Sequence, residues 1–388
     1  MKELEVDVVE PVQNRFDMHR LGSAVDFMRQ EPMFQYIEGL DGVNADVVAA
    51  HTLNDLSDLR FVNCIEQCIH GCIHCSELAG PKPQYIPFDD FHYELQKLRS
   101  LKDISGLRFS YTMFDVTTHQ DGDTMMYVGH LSKDKSSPPS YSSYDVLKAF
   151  RGSQLFDSGI PGRDRFQLFT TGWFDYGRLN LISNGARQVV ENADEIFGHD
   201  PKTGEPGRMV FSFGTYPKYF SLGEQQRNWW TKKLIQMFST IKPLFERGHL
   251  QFSVKYLLPD KTGQPEYDIY SGEYQLELLA DLLQRAGYEN TDSILSDDTL
   301  VRVRPAYRAG RSVNLDLPFT SAASYVENYY PKEYSEVRLG TQWENTLTVN
   351  GVLKRRPVKS GQYHMVDGTE QLSQPIAHLW LPSRGQTS

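Results

Sequence analysis

From residue 60 to residue 305 one alternation recurs: a short apolar run, a turn, then a longer stretch with helical spacing. Arg60–Ile65, Leu107–Met113, Phe166–Thr171, Met209–Gly214, His249–Leu258 and Thr299–Arg304 read as strands. Phe88–Leu101, then 122–158, 179–197, 223–247 and 271–287 read as helices, the second of them interrupted by the Ser/Pro-rich stretch Lys135–Ser143. The turn His199–Gly207 precedes the fourth strand, and Pro305 ends the sixth because it has no N–H to donate. Strands alternating with helices imply a parallel sheet with helical crossovers, an α/β fold. A hydrophobic content of 39% is enough for a packed core.

A strand buried in a parallel sheet should be almost continuously apolar. Several strands here alternate instead. Gln167 and Thr171 share one face of the third strand. Ser212 stands between Val210 and Gly214 on the fourth. Gln251, Ser253 and Lys255 share a face of the fifth, and Arg302 and Arg304 a face of the sixth. The period-two reading is a polar face turned inward and an apolar face turned to the helices. A polar interior suits a charged small molecule, whereas polar residues confined to strand ends would simply meet water.

All four cysteines fall within residues 64–75, as Cys64, Cys68, Cys72 and Cys75. Thiolates so close repel one another unless a metal neutralises them. The opening MKELEVDVVEPV has no apolar core of a secretory signal, and no run of 18 apolar residues occurs, so a cytoplasmic protein without membrane spans is expected. Cytosolic thiols stay reduced, which makes disulfides a poor reading and metal ligation a good one. Structural zinc favours two separated Cys-x2-Cys knuckles, and only Cys72 and Cys75 form such a pair. Zinc and an iron–sulfur cluster both remain open on spacing alone.

The run Cys68-Ile-His-Gly-Cys72-Ile-His-Cys75 has C-x3-C-x2-C spacing and closely resembles the radical S-adenosylmethionine superfamily. The resemblance implies a [4Fe–4S] cluster held by Cys68, Cys72 and Cys75, with S-adenosylmethionine chelated to the fourth iron. It also implies a partial (βα)6 TIM-like barrel, and the strand count agrees. On this reading residues 1–58 are a helical N-terminal cap, 59–311 the barrel, and 312–388 a small α+β extension.

Further assignments follow from the resemblance, residue by residue. His74 occupies the position before the third cysteine that is usually aromatic or histidine. The family's Gly-Gly-Glu-Pro motif is absent. The second strand ends Ser110-Tyr-Thr-Met-Phe-Asp115 instead, making Asp115 the candidate acid for the cosubstrate's amino group, with His119 and Asp121 as rivals. Phe169-Thr-Thr-Gly-Trp173 resembles the family's Thr-Asn-Gly ending and places Thr171 at the site. Ser212 resembles the serine that approaches the ribose. Lys255, Arg302 or Arg304 would pair with the methionyl carboxylate, because a buried anion requires a cationic partner. The bland reading of these cations is a structural ion pair.

The implied chemistry is reductive cleavage to a 5′-deoxyadenosyl radical that abstracts hydrogen, with an external one-electron donor such as flavodoxin or ferredoxin. No cysteine follows Cys75, so a second cysteine-ligated cluster is excluded. A single cluster favours redox-neutral outcomes: epimerisation, elimination, rearrangement or radical addition. Cys64, the spare thiol, is a candidate hydrogen donor, although a structural thiol is the plainer reading. A net charge of −10 gives no basic face for nucleic acid. The nearest basic run, Lys354–Arg356, reads as a solvated hairpin edge. A small-molecule substrate is expected, with a ribosomal peptide as the alternative. The Asn350-Gly351 turn between Leu347 and Leu353 reads as a hairpin.

Overall fold

The computed structural model describes residues 15–57, 59–66, 83–109, 123–130, 139–155, 166–170, 180–200, 203–214, 223–258, 261–305, 343–347, 353–357 and 374–377. Helices α1 (Leu21–Met28), α2 (Pro32–Glu38) and α3 (Ala45–Ser57) come first. They are followed by β1 (Leu59–Val62), β2 (Ile65–Glu66), β3 (Gln84–Tyr85) and the long α4 (Phe88–Ser105). The middle of the chain holds β4 (Val128–Gly129), β5 (Tyr141–Ser142), α5 (Ser143–Gly152), β6 (Gln167–Thr170), α6 (Asn180–Glu191) and α7 (Ala193–Phe197). Next come β7 (Arg208–Gly214), α8 (Glu224–Glu246), β8 (Leu250–Tyr256), α9 (Pro265–Asp268), α10 (Gly272–Arg285), α11 (Thr291–Ser296) and β9 (Val301–Pro305). Strands β10 (Trp343–Leu347), β11 (Leu353–Pro357) and β12 (Gln374–Ala377) close the series.

The molecule is a mixed α/β fold organised on a four-stranded parallel sheet, β6-β7-β8-β9. These four strands fall where period-two spacing predicts the third to sixth. Their register explains the alternation. Phe211 pairs with Phe252, and Phe213 with Val254, on a face packed against Phe238 of α8. That face is the apolar core, with Met209, Phe211, Phe213, Phe252 and Val254 all fully buried. Offset and edge-on aromatic pairs of this kind add about 0.5–1.5 kcal/mol each beyond their buried area.

Helix boundaries follow local chemistry. Helix α4 starts after Pro87, carries Asp89 and Asp90 in its first turn and stops at Gly106, whose φ of 66° is left-handed. Helix α5 opens with a capping box: the Ser142 amide donates to the Asp145 carboxylate at 2.8 Å. Helix α10 is capped by Ser271, whose hydroxyl accepts from the Tyr274 amide at 3.1 Å.

Four expectations are corrected. The stretch 122–158 is not helical throughout. Asp123 caps a 3₁₀ turn, Thr124–Met126, and β4 then pairs antiparallel with β5, so helix begins only at Ser143. Gly129 is fixed there because a Cβ would collide with the Tyr127 ring. The first strand is shorter than read, and its described neighbour is β10, which it meets in parallel within a separate sheet, β1-β10-β11-β12. Lys354–Arg356 lies on β11, flanked by both β10 and β12, so it is an inner strand and not a hairpin edge. Strands β10 and β11 pair antiparallel, Leu347 opposite Leu353, and Asn350-Gly351 itself lies outside the described residues. Leu107–Phe109, the start of the expected second strand, is irregular, and the rest of that strand lies outside the described residues. Among the described residues no helix is long and apolar enough to cross a membrane.

Candidate functional site

The cysteine-bearing segment enters and leaves the described structure at one place. Strand β2 runs into it and β3 runs out of it, and the two pair antiparallel, Ile65 with Tyr85 and Glu66 with Gln84. Below this short ladder the Ile86 amide donates to the Cys64 carbonyl at 3.1 Å. The buried Tyr127 hydroxyl donates to the Ile86 carbonyl at 2.7 Å. Burial, aided by the nearby Cys64 and Asp145, pushes the Tyr127 phenol above its ordinary range, so it remains a donor. Tyr85 meets the Tyr127 ring edge-on, with centroids 6.0 Å apart. Glu66 and Gln84, on either side of segment 67–82, are therefore held side by side.

The same stem is tied to the carboxyl end of the parallel sheet. Cys64 is fully buried, and its thiol lies 3.8 Å from the Thr124 hydroxyl. The adjacent Asp123 is buried, and its two carboxylate oxygens lie 2.9 and 3.0 Å from the hydroxyl of Thr170, the last residue of β6. One oxygen also accepts from the Met125 amide at 3.1 Å. In parallel α/β sheets ligands gather beyond the carboxyl ends of the strands.

The register aligns the predicted polar residues. Ser212, Ser253 and Arg302 form one cross-strand row, and Gly214, Lys255 and Arg304 form the next, nearer the carboxyl end. Both rows lie on the face opposite the Phe211–Phe252 core. Ser212, Lys255 and Arg302 are half-buried, and Ser253 is buried. Gln251, on the same face but deeper, is occupied structurally: its amide donates to the Thr299 carbonyl at 2.7 Å. Thus Ser212, Lys255 and Arg304 stand on three neighbouring strands, Lys255 and Arg304 in register and Ser212 in the adjacent row. Cys68, Cys72, Cys75, His74, Asp115 and Thr171 lie outside the described residues. Among the described residues no cluster of three metal-ligating side chains occurs.

Sequence reasoning missed Asp123, Thr124, Thr170 and Tyr127. The one local signal was Asp at the start of a short turn, an N-cap preference. It also missed a buried ionic group on α4. Lys97 pairs with Glu31 from the turn before α2, and Glu94 sits one turn before Lys97. Burial, reinforced by Asp90, raises the Glu94 carboxyl well above the usual range, while burial lowers Lys97.

No family model matches the chain, and no curated protein matches it in sequence. Among solved structures it is similar to Streptococcus suis SuiB bound to S-adenosylmethionine, at 12% identity and a TM-score of 0.32, over 91% of this chain and 75% of that one. SuiB bound to the precursor peptide SuiA gives 13% identity, a TM-score of 0.31 and the same coverage.

Proposed function

We propose that this chain is a radical S-adenosylmethionine enzyme, in which Cys68, Cys72 and Cys75 hold one [4Fe–4S] cluster. What supports the reading is the C-x3-C-x2-C run in the sequence, together with the pairing of its flanking strands β2 and β3 and their link through Cys64, Thr124 and Asp123 to Thr170 at the carboxyl end of β6. Three thiolates are soft donors suited to iron. The paired strands β2 and β3 fit a ligand segment gathered about one compact centre, and the polar rows on β7–β9 fit a charged cosubstrate. On this reading residues 59–311 form a partial (βα)6 barrel, with β6–β9 as its third to sixth strands. Residues 1–58 are the cap and 312–388 the extension.

A cluster held by Cys68, Cys72 and Cys75 would supply one-electron reductive cleavage of the S-adenosylmethionine sulfonium, with the electron drawn from a carrier such as flavodoxin or ferredoxin. The chain's own residues bind and orient. Lys255 or Arg304 neutralises the methionyl carboxylate, Ser212 approaches the ribose, Asp115 receives the amino group, and His74 and Thr171 complete the wall. A charged ligand held by a cation in this half-buried setting is bound more tightly than in water. Cys64, buried in the stem, is read as structural and not as a hydrogen donor.

Anaerobic reconstitution tests the reading. About four irons per chain and 5′-deoxyadenosine formed from S-adenosylmethionine with dithionite are expected. Stoichiometric zinc, or iron without 5′-deoxyadenosine, refutes it. The described residues favour neither substrate class over the other. Turnover in cell extract split by a 3-kDa filter, with mass spectrometry of any chain-linked product, separates a small molecule from a ribosomal peptide.

A further inference from the structure

The short turn 123–127 touches three separate parts of the molecule. Asp123 reaches β6 through Thr170, Thr124 reaches the Cys64 thiol, and Tyr127 reaches the Ile86 carbonyl beneath β3. Two of these contacts end on the stem of the cysteine segment. The third ends on the carboxyl tip of the parallel sheet. The turn thus links the stem formed by β2 and β3 to the carboxyl tip of β6.

Asp123 is an expensive residue for so small a turn. Its side chain is 3% exposed, and capping alone would be served by Ser or Thr without taking a carboxylate out of water. Capping uses the contact to the Met125 amide. The Thr170 hydroxyl, by contrast, lies within hydrogen-bonding distance of both oxygens, one of them not used by the cap. The bridge to β6 is thus a contact that capping alone does not require. The bridge fixes the carboxyl end of β6 at Thr170 against the turn that also holds the stem.

We infer that Asp123 is a positioning residue: through Thr170 it sets the distance between the cysteine segment and the sheet edge that binds the cosubstrate. The inference rests on the radical reading of the preceding subsection. A misplacement of about 1 Å between reacting groups costs up to about a hundredfold in rate.

The test is a double-mutant cycle with Asp123→Ser, which keeps a cap, and Thr170→Val, which removes the hydroxyl at near-constant volume. Reconstituted full-length protein is assayed for iron, for 5′-deoxyadenosine formation and for amide hydrogen exchange in 59–66 and 83–87. Each single variant should keep its iron and slow 5′-deoxyadenosine formation at saturating S-adenosylmethionine by about tenfold or more. The double variant should be no slower than either. Exchange at the stem should rise in all three. Normal turnover in the single variants, or losses that multiply in the double variant, would overturn the inference. A change in thermal stability with normal turnover would overturn it equally, leaving a structural cap. If wild-type protein forms no 5′-deoxyadenosine, the radical reading fails, and the exchange data still decide whether the bridge holds the stem: unchanged exchange refutes it.

Discussion

The two ends of the parallel sheet treat their polar side chains in opposite ways. At the amino end His249, Arg208 and Gln251 all bond to the fold itself. His249 is fully buried; its Nδ1 donates to the Gly207 carbonyl at 2.8 Å and its Nε2 meets the Asp194 carboxylate at 2.8 Å. Arg208 and Gln251 both donate to the Thr299 carbonyl, at 2.8 and 2.7 Å. Gly207 leaves no room for a side chain, since a Cβ would strike the Phe197 carbonyl. At the carboxyl end Ser212, Lys255 and Arg302 are half-buried in cross-strand rows, and the buried groups, Asp123 and Thr170, tie separate chain segments together. Backbone-directed bonds lock the amino end, and the carboxyl end carries the candidate site.

The largest effect expected is at the carboxyl end. Cys72→Ala should remove bound iron and abolish 5′-deoxyadenosine formation while the thermal midpoint of the metal-free protein stays within a few degrees, measured by metal analysis and circular dichroism. Next comes the amino end: Gly207→Ala should cost about 3 kcal/mol in denaturant unfolding, because overpacking against two backbone carbonyls has no side chain to yield. His249→Gln should cost about 2 kcal/mol by disturbing a buried bond to Gly207.

The His249 variant also sharpens the comparison through pH. The bond to His249 holds the Asp194 carboxyl below its ordinary range. Its stabilisation is complete above that ordinary range and is lost as pH falls through the lowered value. The melting temperature of the wild type should therefore fall below about pH 4, and part of that fall should vanish in the variant.

Lys255→Ala should weaken S-adenosylmethionine binding about tenfold, or about 1.4 kcal/mol, while shifting stability by less than about 0.5 kcal/mol. The reverse pattern would erase the distinction between the two ends. Smallest is Tyr127→Phe, which leaves the Ile86 carbonyl without its donor and should cost about 1 kcal/mol.

What could be read in the sequence was whatever repeats locally. Met209–Gly214 alternates Ser212 with buried phenylalanines, and the spacing gave both the strand and its polar face. Gln251 shows where this fails: it shares that face, yet its bond to Thr299 makes it part of the fold. Contacts between distant residues leave no periodic trace. Asp123 and Thr170 are 47 positions apart, and neither stretch announces the other. β1 meets β10 from the far end of the chain, and β12 covers the far side of β11, so Lys354–Arg356 is an inner strand although its own hairpin reads as an edge. The cysteine run was legible because its spacing is itself the chemistry.

The most direct test of that chemistry is which thiols matter. Wild-type and Cys64→Ala proteins, reconstituted anaerobically, should both bind iron and form 5′-deoxyadenosine. Cys68→Ala, Cys72→Ala and Cys75→Ala should do neither. Loss of the cluster in the Cys64 variant, or its survival in any of the other three, would contradict the account.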